Sequence, residues 1–596
     1  MISTNSFSSS AREFCFIYKK EFNKYYISSL ILTALCFLFG PFIWIMRLVG
    51  DNHESYNIEF RLAYILFSIA ALYLAALIYA CLQFRYMHNK ASIDLYHSLP
   101  VRRIPLLLGK YVSGLTLILI PFTVNFSLLG FLFLCTKNWP IQNGVQFSEI
   151  LDFLPEFLVA LICSYSFYMM VSVLTGGLLD MLVFTGVFTG VWPLGYICVS
   201  SFAQKLLFGY SSYRYGVFPD QSEFVITMFS PLIKLFYLPW NSFFEGVWWI
   251  ALTVIITVGT LYLYKYRRSE AVGKSFAFKK PMIIFKILTT IITGLFISYI
   301  FGDMFSGEQS VIVGVVIGLL AGYFLIELVT SRGLKGFIKN IWQAGVALLA
   351  CICIFTSLFT GFFGYSSRVP EIGNIESIAF RFYDLEQSYY YNQSLPEFKS
   401  EEAIKAIKEL HETIIAKKPK AFEETQSYMG DGMFGTSINI AYRLKNKTFI
   451  RRGYDSFFEA KEKDCLLKLA SLKEYKDIKY PILKLRVEEI NEIRISTYDR
   501  EASYDDVNFS GMKETVIYGN DVAEFIEAYR RDVEATDEAE MLNNPPGEFA
   551  SCTVALKNQN FDINNREKMQ MVEYIYISIK SNFVNCINFS ESFDSM

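Results

Sequence analysis

LAYILFSIAALYLAALIYACLQF, Leu62 to Phe84, contains no charged side chain. About 20 apolar residues in a helix span the roughly 30 Å hydrocarbon core of a bilayer, and a helix pairs its backbone donors and acceptors internally where lipid offers no partner. The stretch therefore reads as a membrane span. Working outward, the same reading applies to Ile27–Val49 before it and to Tyr111–Cys135, Phe157–Leu174, Met181–Ser200, Gly246–Tyr264, Ile283–Phe301, Ser310–Val329 and Ile341–Phe363 after it. Composition agrees. The 596 residues are 53% hydrophobic and 17% aromatic with a mean hydropathy of +0.31, beyond what a fully wetted surface allows.

Charge is nearly balanced, 55 Lys+Arg against 57 Asp+Glu, so neither a nucleic acid nor another polyanion is an expected partner. Its distribution sets an orientation. Arg85, Lys90, Arg102, Arg103 and Lys110 follow the second predicted span, Lys265, Arg267, Arg268, Lys274, Lys279 and Lys280 the sixth, and Arg332, Lys335 and Lys339 the eighth. Loops rich in Lys and Arg stay in the cytoplasm. The N-terminus is then inside, and an odd number of spans places the polar C-terminal part outside. Arg12, Lys19, Lys20 and Lys24 precede a first apolar run that is too late and too long for a cleaved signal peptide.

Three segments on the predicted cytoplasmic side stand out. In Ser10–Tyr26, Phe14, Ile17, Tyr18 and Phe22 recur at helical spacing opposite Arg12, Lys19, Lys20 and Lys24, as in a helix lying in the membrane interface; a plain basic flank is the simpler alternative. SIDLYHSLPVRRIPLLLGK, Ser92–Lys110, is too polar to span and too apolar for a free loop, and Pro100 and Pro105 are expected to break it into short pieces. Such a segment can rest on a soluble partner. KYRRSEAVGKSFAFKKP, Lys265–Pro281, follows the sixth span directly.

HSLPVRR at His97–Arg103, followed by LLLGKYVSGL at Leu106–Leu115, resembles the coupling loop of ABC-2 type permeases of Gram-positive bacteria, and RRSEAVGKSFAF at Arg267–Phe278 is similar to those permeases too. The resemblance implies an interfacial elbow helix at 1–26 (Arg12, Phe14, Lys19, Phe22) and a six-span core at 27–280. It also implies an ATPase-docking loop of His97, Leu99, Pro100, Val101, Arg102 and Arg103, and a second cytoplasmic contact at Arg267, Arg268 and Glu270. Lipid headgroups are the alternative ligand for these basic residues. A re-entrant hairpin before the sixth span fits Phe202–Glu245, which is aromatic and broken by proline. Three further spans at 281–363 and a long extracytoplasmic extension depart from the minimal pattern and resemble a subgroup.

The motor is expected on another chain. The nearest approach to a P-loop, Gly273-Lys274-Ser275, has Arg268 where the first glycine belongs and follows a span instead of a strand. ATP and Mg would sit on a separate ATPase subunit, with no cofactor in this chain. The histidines are His53, His88, His97 and His411, too few and scattered for a metal cluster. Cysteines fall mostly within apolar runs, and no disulfide framework is expected. Asp180 and Glu327 lie at span ends, where Asp180 is expected to meet water and Glu327 to reach water or Arg332; neither suggests a proton relay.

From 364 to 596 the pattern changes to α+β, with two tandem repeats at about 370–480 and 485–596. Tyr383-Asp384-Leu385-Glu386-Gln387-Ser388-Tyr389 returns as Tyr498-Asp499-Arg500-Glu501-Ala502-Ser503-Tyr504. Each copy opens with an alternating run (Ile375–Tyr383; Ile490–Tyr498) and continues with an amphipathic helix (Glu401–Lys417; Asp521–Val533). Leu444-Lys445-Asn446 and Leu556-Lys557-Asn558 then mark hairpin turns, with Asn as the residue suited to positive φ. The paired acids in each copy lack an EF-hand loop or a nucleophile with its base, so capture of a ligand or partner is the better expectation than catalysis.

The sequence thus describes an α-helical multi-span membrane protein of about nine transmembrane helices with a C-terminal α+β extracytoplasmic domain. The expected function is the permease subunit of an ABC exporter of a lipid-like, peptide or drug-like substrate, partnered by an ABC ATPase, a second permease copy or paralogue, and membrane lipid. The alternative is a non-transporting membrane sensor or scaffold whose outer domain binds a ligand such as a peptide antibiotic.

Overall fold

A computed structural model describes residues 4–42, 45–46, 58–135, 147–210, 222–234, 243–305, 308–333, 337–381, 397–416, 435–457, 460–498, 512–537, 548–556 and 574–594. They fall into two compact units, 1–201 with 221–354 and 202–220 with 355–596.

The first unit holds α1 (Thr4–Phe39), α2 (Ile58–Phe84), α3 (Lys90–Ser98), α4 (Arg103–Cys135), α5 (Phe147–Leu174) and most of α6 (Leu178–Leu206). After α6 it resumes with α7 (Ser222–Thr227), α8 (Pro231–Lys234), α9 (Phe243–Tyr266), α10 (Lys279–Met304), α11 (Glu308–Ser331) and α12 (Trp342–Phe359), whose last turn joins the second unit. Among the described residues, eight helices are long and apolar enough to cross a membrane: α1, α4, α5, α6, α9, α10, α11 and α12. The chain is a multi-pass membrane protein. The opening stretch Leu62–Phe84 lies within α2, a 27-residue helix.

Prolines inside these helices show how the fold repairs its own breaks. Pro121 in α4 cannot donate to the carbonyl of Leu117, and the hydroxyl of Ser29 on α1 donates to that oxygen at 2.8 Å. Pro193 in α6 frees the carbonyl of Thr189 in the same way, and Ser230, between α7 and α8, fills it at 2.7 Å. The indoles of Trp192 and Trp248 donate to Val225 and Met228 on the same short segment, at 2.6 and 2.9 Å. An irregular stretch thus finds backbone partners within the protein.

The expected elbow is not a separate helix. Residues 4–39 form one unbroken α1, because no proline or glycine interrupts it. Its amphipathic face exists, with Arg12 and Lys19 exposed and Phe14 and Phe22 half-buried, but α4 covers part of it: a Cβ on Gly109 would come within 2.8 Å of Ile17. The hairpin expected over Phe202–Glu245 also divides. Residues 202–210 belong with the second unit, where Phe202 meets Phe355 and Phe208 meets Tyr454, each ring pair 5.0 Å apart; α7 and α8 stay with the first, and 211–221 and 235–242 of that expected hairpin lie outside the described residues.

The second unit contains two four-stranded antiparallel sheets. The first is built from β1 (Ile375–Arg381), β2 (Glu397–Phe398), β3 (Gly435–Leu444) and β4 (Phe449–Phe457) in the order β2-β1-β3-β4. The other comprises β5 (Ile490–Tyr498), β6 (Met512–Tyr518), β7 (Glu548–Leu556) and β8 (Tyr574–Lys580) in the order β6-β5-β7-β8. Helix α13 (Glu401–Ala416) buries Ile404, Ile407, Leu410 and Ile414 with the first sheet, where α14 (Ala460–Ala470) adds Leu466 and Leu469 and α15 (Lys473–Lys479) adds Tyr475, and α16 (Asn520–Ala535) buries Val522, Phe525, Ile526, Tyr529 and Val533 with the second. The α13 and α16 sets follow helical periodicity. Each sheet has an irregularity near the start of its leading strand: β1 slips between Ile375 and Ser377 against β3, and β5 between Ile490 and Glu492 against β7. The β3–β4 turn places positive φ on Lys447 at 63°, not on Asn446, whose side chain accepts from the Thr448 amide at 3.0 Å. Residues 382–396 and 499–511, which carry most of the repeated Tyr-Asp motif, and Lys557–Phe561 lie outside the described residues.

Candidate functional site

The strongest constellation is the junction where α3 meets the ends of α5 and α9. Helix α2 closes in a 3-10 turn, Arg85–His88, and Asn89 caps α3 by accepting from the Ser92 amide at 3.3 Å. Pro100 separates α3 from α4. Pro105, expected to be a second break, lies in the first turn of α4, where a missing N–H costs nothing. Leu99, Pro100, Arg102 and Arg103 are exposed, while His97 and Val101 are half-buried.

Both arginines, though exposed, bond to the protein itself. The Arg102 guanidinium donates to Ser10 Oγ at 2.6 Å, and its backbone amide donates to Glu13 at 3.0 Å, tying the loop to α1. Arg103 donates to the carbonyls of Lys265 and Arg267, at 3.1 and 2.9 Å. These carbonyls lie at the C-terminal end of α9, where helical oxygens lack amide partners and a cation meets the negative end of the helix dipole.

Arg267, expected on a partner-facing surface, is 1% exposed. Its guanidinium donates to the carbonyls of Met87, Ser172, Val173 and Thr175 at 2.7 to 2.9 Å, gathering the end of α5 and the turn before α3 around one side chain. Burial pulls its pKa down to about 10, against the opposing influence of Tyr86 and Tyr264, so it remains a cation at neutral pH. Tyr86 donates to Tyr264 at 2.8 Å beside it. Arg268 and Glu270 are exposed, as a contact surface requires.

The following loop is fastened to the α5–α6 connection. Gly273 donates to the carbonyl of Gly176 at 3.0 Å, Ala277 to that of Leu174 at 2.7 Å, and Thr175 bridges Phe276. Gly176 is required: a Cβ there would stand 2.1 Å from the Ala271 carbonyl and 2.2 Å from that of Lys274. Across the connection Arg332 pairs with Asp180 at 2.8 Å.

His88 contacts Ser172 Oγ at 3.0 Å, and burial followed by the Arg267 charge pushes its pKa down to about 3. His97 has both ring nitrogens buried without a hydrogen-bond partner; burial, then Arg103 and Arg267, lowers its pKa as well. Among the described residues no group of three or more His, Cys, Asp or Glu could hold a metal ion.

Buried ion pairs were not legible beforehand. Lys110, expected in a loop, is inside α4 and pairs with Glu21 of α1 at 2.5 Å, its ammonium 4.6 and 4.8 Å from the rings of Tyr96 and Tyr86. Glu327 is not matched with Arg332: it is buried and pairs with Lys286 of α10 at 2.6 Å, with Asn340 donating at 3.0 Å. Lys234 and Glu245 pair across α8 and α9. The available signal was a charged residue at helical register inside an apolar run, which has meaning only once its opposite is found.

No family model, curated protein or solved structure matches the chain.

Proposed function

We propose that the chain is the membrane-spanning permease subunit of an ATP-driven ABC-2 type exporter, with its N-terminus in the cytoplasm and its C-terminal unit outside. The observation that carries this reading is α3: a short helix with Leu95 62% exposed, followed by exposed Leu99 and Ile104, whose roots are bonded to α1 through Arg102 and to α9 through Arg103. Displacing α3 from below would pull on both helices and, through Arg267, on α5. That is what a transmission element requires when rigid bodies are moved by a partner.

In this reading an ABC ATPase subunit, which holds ATP and Mg, presses on Leu95, Leu99 and Ile104. Arg268 and Glu270 offer a second contact, and a second permease copy or paralogue completes the pathway. The C-terminal unit is a duplicated module for extracytoplasmic capture; identical strand order and the matching irregularities near Ile375 and Ile490 support the duplication.

Arg102 and Arg103 make internal bonds, so charge reversal there would confuse folding with docking. The discriminating variant is Leu95→Asp/Leu99→Asp, purified in mild detergent from its own cells. An ATPase should accompany the wild type and be released by the variant while melting of the chain stays unchanged. Absence of any accompanying ATPase from the wild type would sink the reading.

A further inference from the structure

Four consecutive residues just past α12 adopt left-handed backbone: Gly361 at φ 82°, Phe362 at 44°, Phe363 at 54° and Gly364 at 82°. Glycine tolerates this conformation, whereas a side chain with a Cβ crowds its own carbonyl there. The inner pair is phenylalanine, and neither is buried: Phe363 is 95% exposed and Phe362 49%. The turn is nevertheless well defined, with the Phe362 amide donating to Ser357 at 2.9 Å and the Tyr365 amide to Phe362 at 3.1 Å.

Helix α12 has 18 residues, a rise of about 27 Å, which nearly matches the apolar thickness of a bilayer. Phe359 therefore ends at the edge of the hydrocarbon, and the turn lies in the interfacial layer where aromatic rings concentrate. Other helix ends that alternate crossing brings to the same side are similarly furnished. Helix α9 begins with Phe243 and Phe244, 89% and 65% exposed, and α10 finishes with Met304 and Phe305, 70% and 54% exposed. No charged residue occurs between Trp342 and Ser367.

We propose that Phe362 and Phe363 insert into the lipid interface at the C-terminal end of α12, and that this left-handed turn anchors the first sheet at the membrane surface. The connection to that sheet is stiff. Tyr365 donates to the Arg451 carbonyl at 3.1 Å, while the Arg452 guanidinium stacks 3.7 Å from the Tyr365 ring centroid and donates to the Tyr365 carbonyl at 2.8 Å. Lipid burial of the rings offsets the cost of holding phenylalanine where glycine is favoured. The inference rests on the membrane class of the chain and is independent of the permease reading.

The test places a nitrobenzoxadiazole maleimide on Phe363→Cys in phosphatidylcholine liposomes, with Val584→Cys on α17 (Val584–Asp594) as an exposed comparator and the labelled wild type as background. At 363 the emission should shift to shorter wavelength and be quenched by lipids carrying a nitroxide near the headgroup, with neither change at 584. Water-like, unquenched emission at 363 would overturn the anchor. So would protection that develops only when another protein is added, because the rings would then belong to a protein interface. If Phe363→Cys does not enter liposomes, Phe362→Cys reports on the same turn and is read by the same criteria.

Discussion

Two regions of the membrane unit bury positive charge by opposite means. Between α10 and α11, Lys286 faces the carboxylate of Glu327, charge against charge. At the end of α9, Arg267 has no carboxylate among its hydrogen-bond partners and is held by the carbonyls of Met87, Ser172, Val173 and Thr175. The first arrangement joins two side chains and is replaceable in principle by two apolar ones. The second joins a side chain to the backbone of two segments, and no compensating substitution exists for a carbonyl. Charge pairs hold helices side by side; the arginine cage fixes where helices end.

The contrast can be broken most directly at Arg267. Arg267→Met should cost roughly 5 kcal/mol or abolish folding, because several buried carbonyls lose their donor together. Arg267→Lys should not rescue it, since one ammonium cannot reproduce the planar fork. Thermal melts in detergent read both, and a stable Arg267→Lys chain would refute the cage. Lys286→Met should cost less, about 3 kcal/mol, because Ser331 and Asn340 still donate to Glu327. Adding Glu327→Met should recover most of that loss; failure to recover would mean that the pair, too, is irreplaceable.

Acidification sharpens the comparison by acting on both units. His88 and His411 have their pKa values pushed down to about 3, chiefly by burial and secondarily by Arg267 and Arg452 respectively. Unfolded histidine, at about 6.5, takes up protons that the folded state refuses, so stability falls as pH drops from 6.5 toward 3, by about 2 kcal/mol per histidine at pH 5. His411 lies between the hydroxyls of Tyr442 and Tyr454, each 2.7 Å away. Replacing it by Gln should flatten the acid slope of the C-terminal unit, measured by melts at pH 7 and 5, and leave the His88 contribution in place. The smallest effect is expected from Arg103→Ala, about 1 kcal/mol, because its guanidinium is exposed and caps a helix end that water can also serve. If that variant melts as far down as Arg267→Met, the two arginines act as one unit.

The spans were legible because an apolar run of the right length has one stable form in lipid, whatever its neighbours. The apolar run Ser310–Val329 lies within α11, and the alternating run Ile490–Tyr498 is β5. Alternation and helical periodicity are local properties, so α13 and α16 were also visible within a residue or two. The fate of the polar residues was not. Arg267 and Arg268 are adjacent and chemically alike, yet one is caged and the other exposed. Lys110 resembled a loop residue until Glu21 came to face it, and nothing local announces that Ser29 serves the carbonyl freed by Pro121. By itself the sequence determined which segments are too apolar to leave lipid and where the α+β region begins. Only tertiary structure decided which charges pair, which arginine is enclosed and which helix ends are joined, because a buried polar group is defined by its partner, and these partners lie far away along the chain.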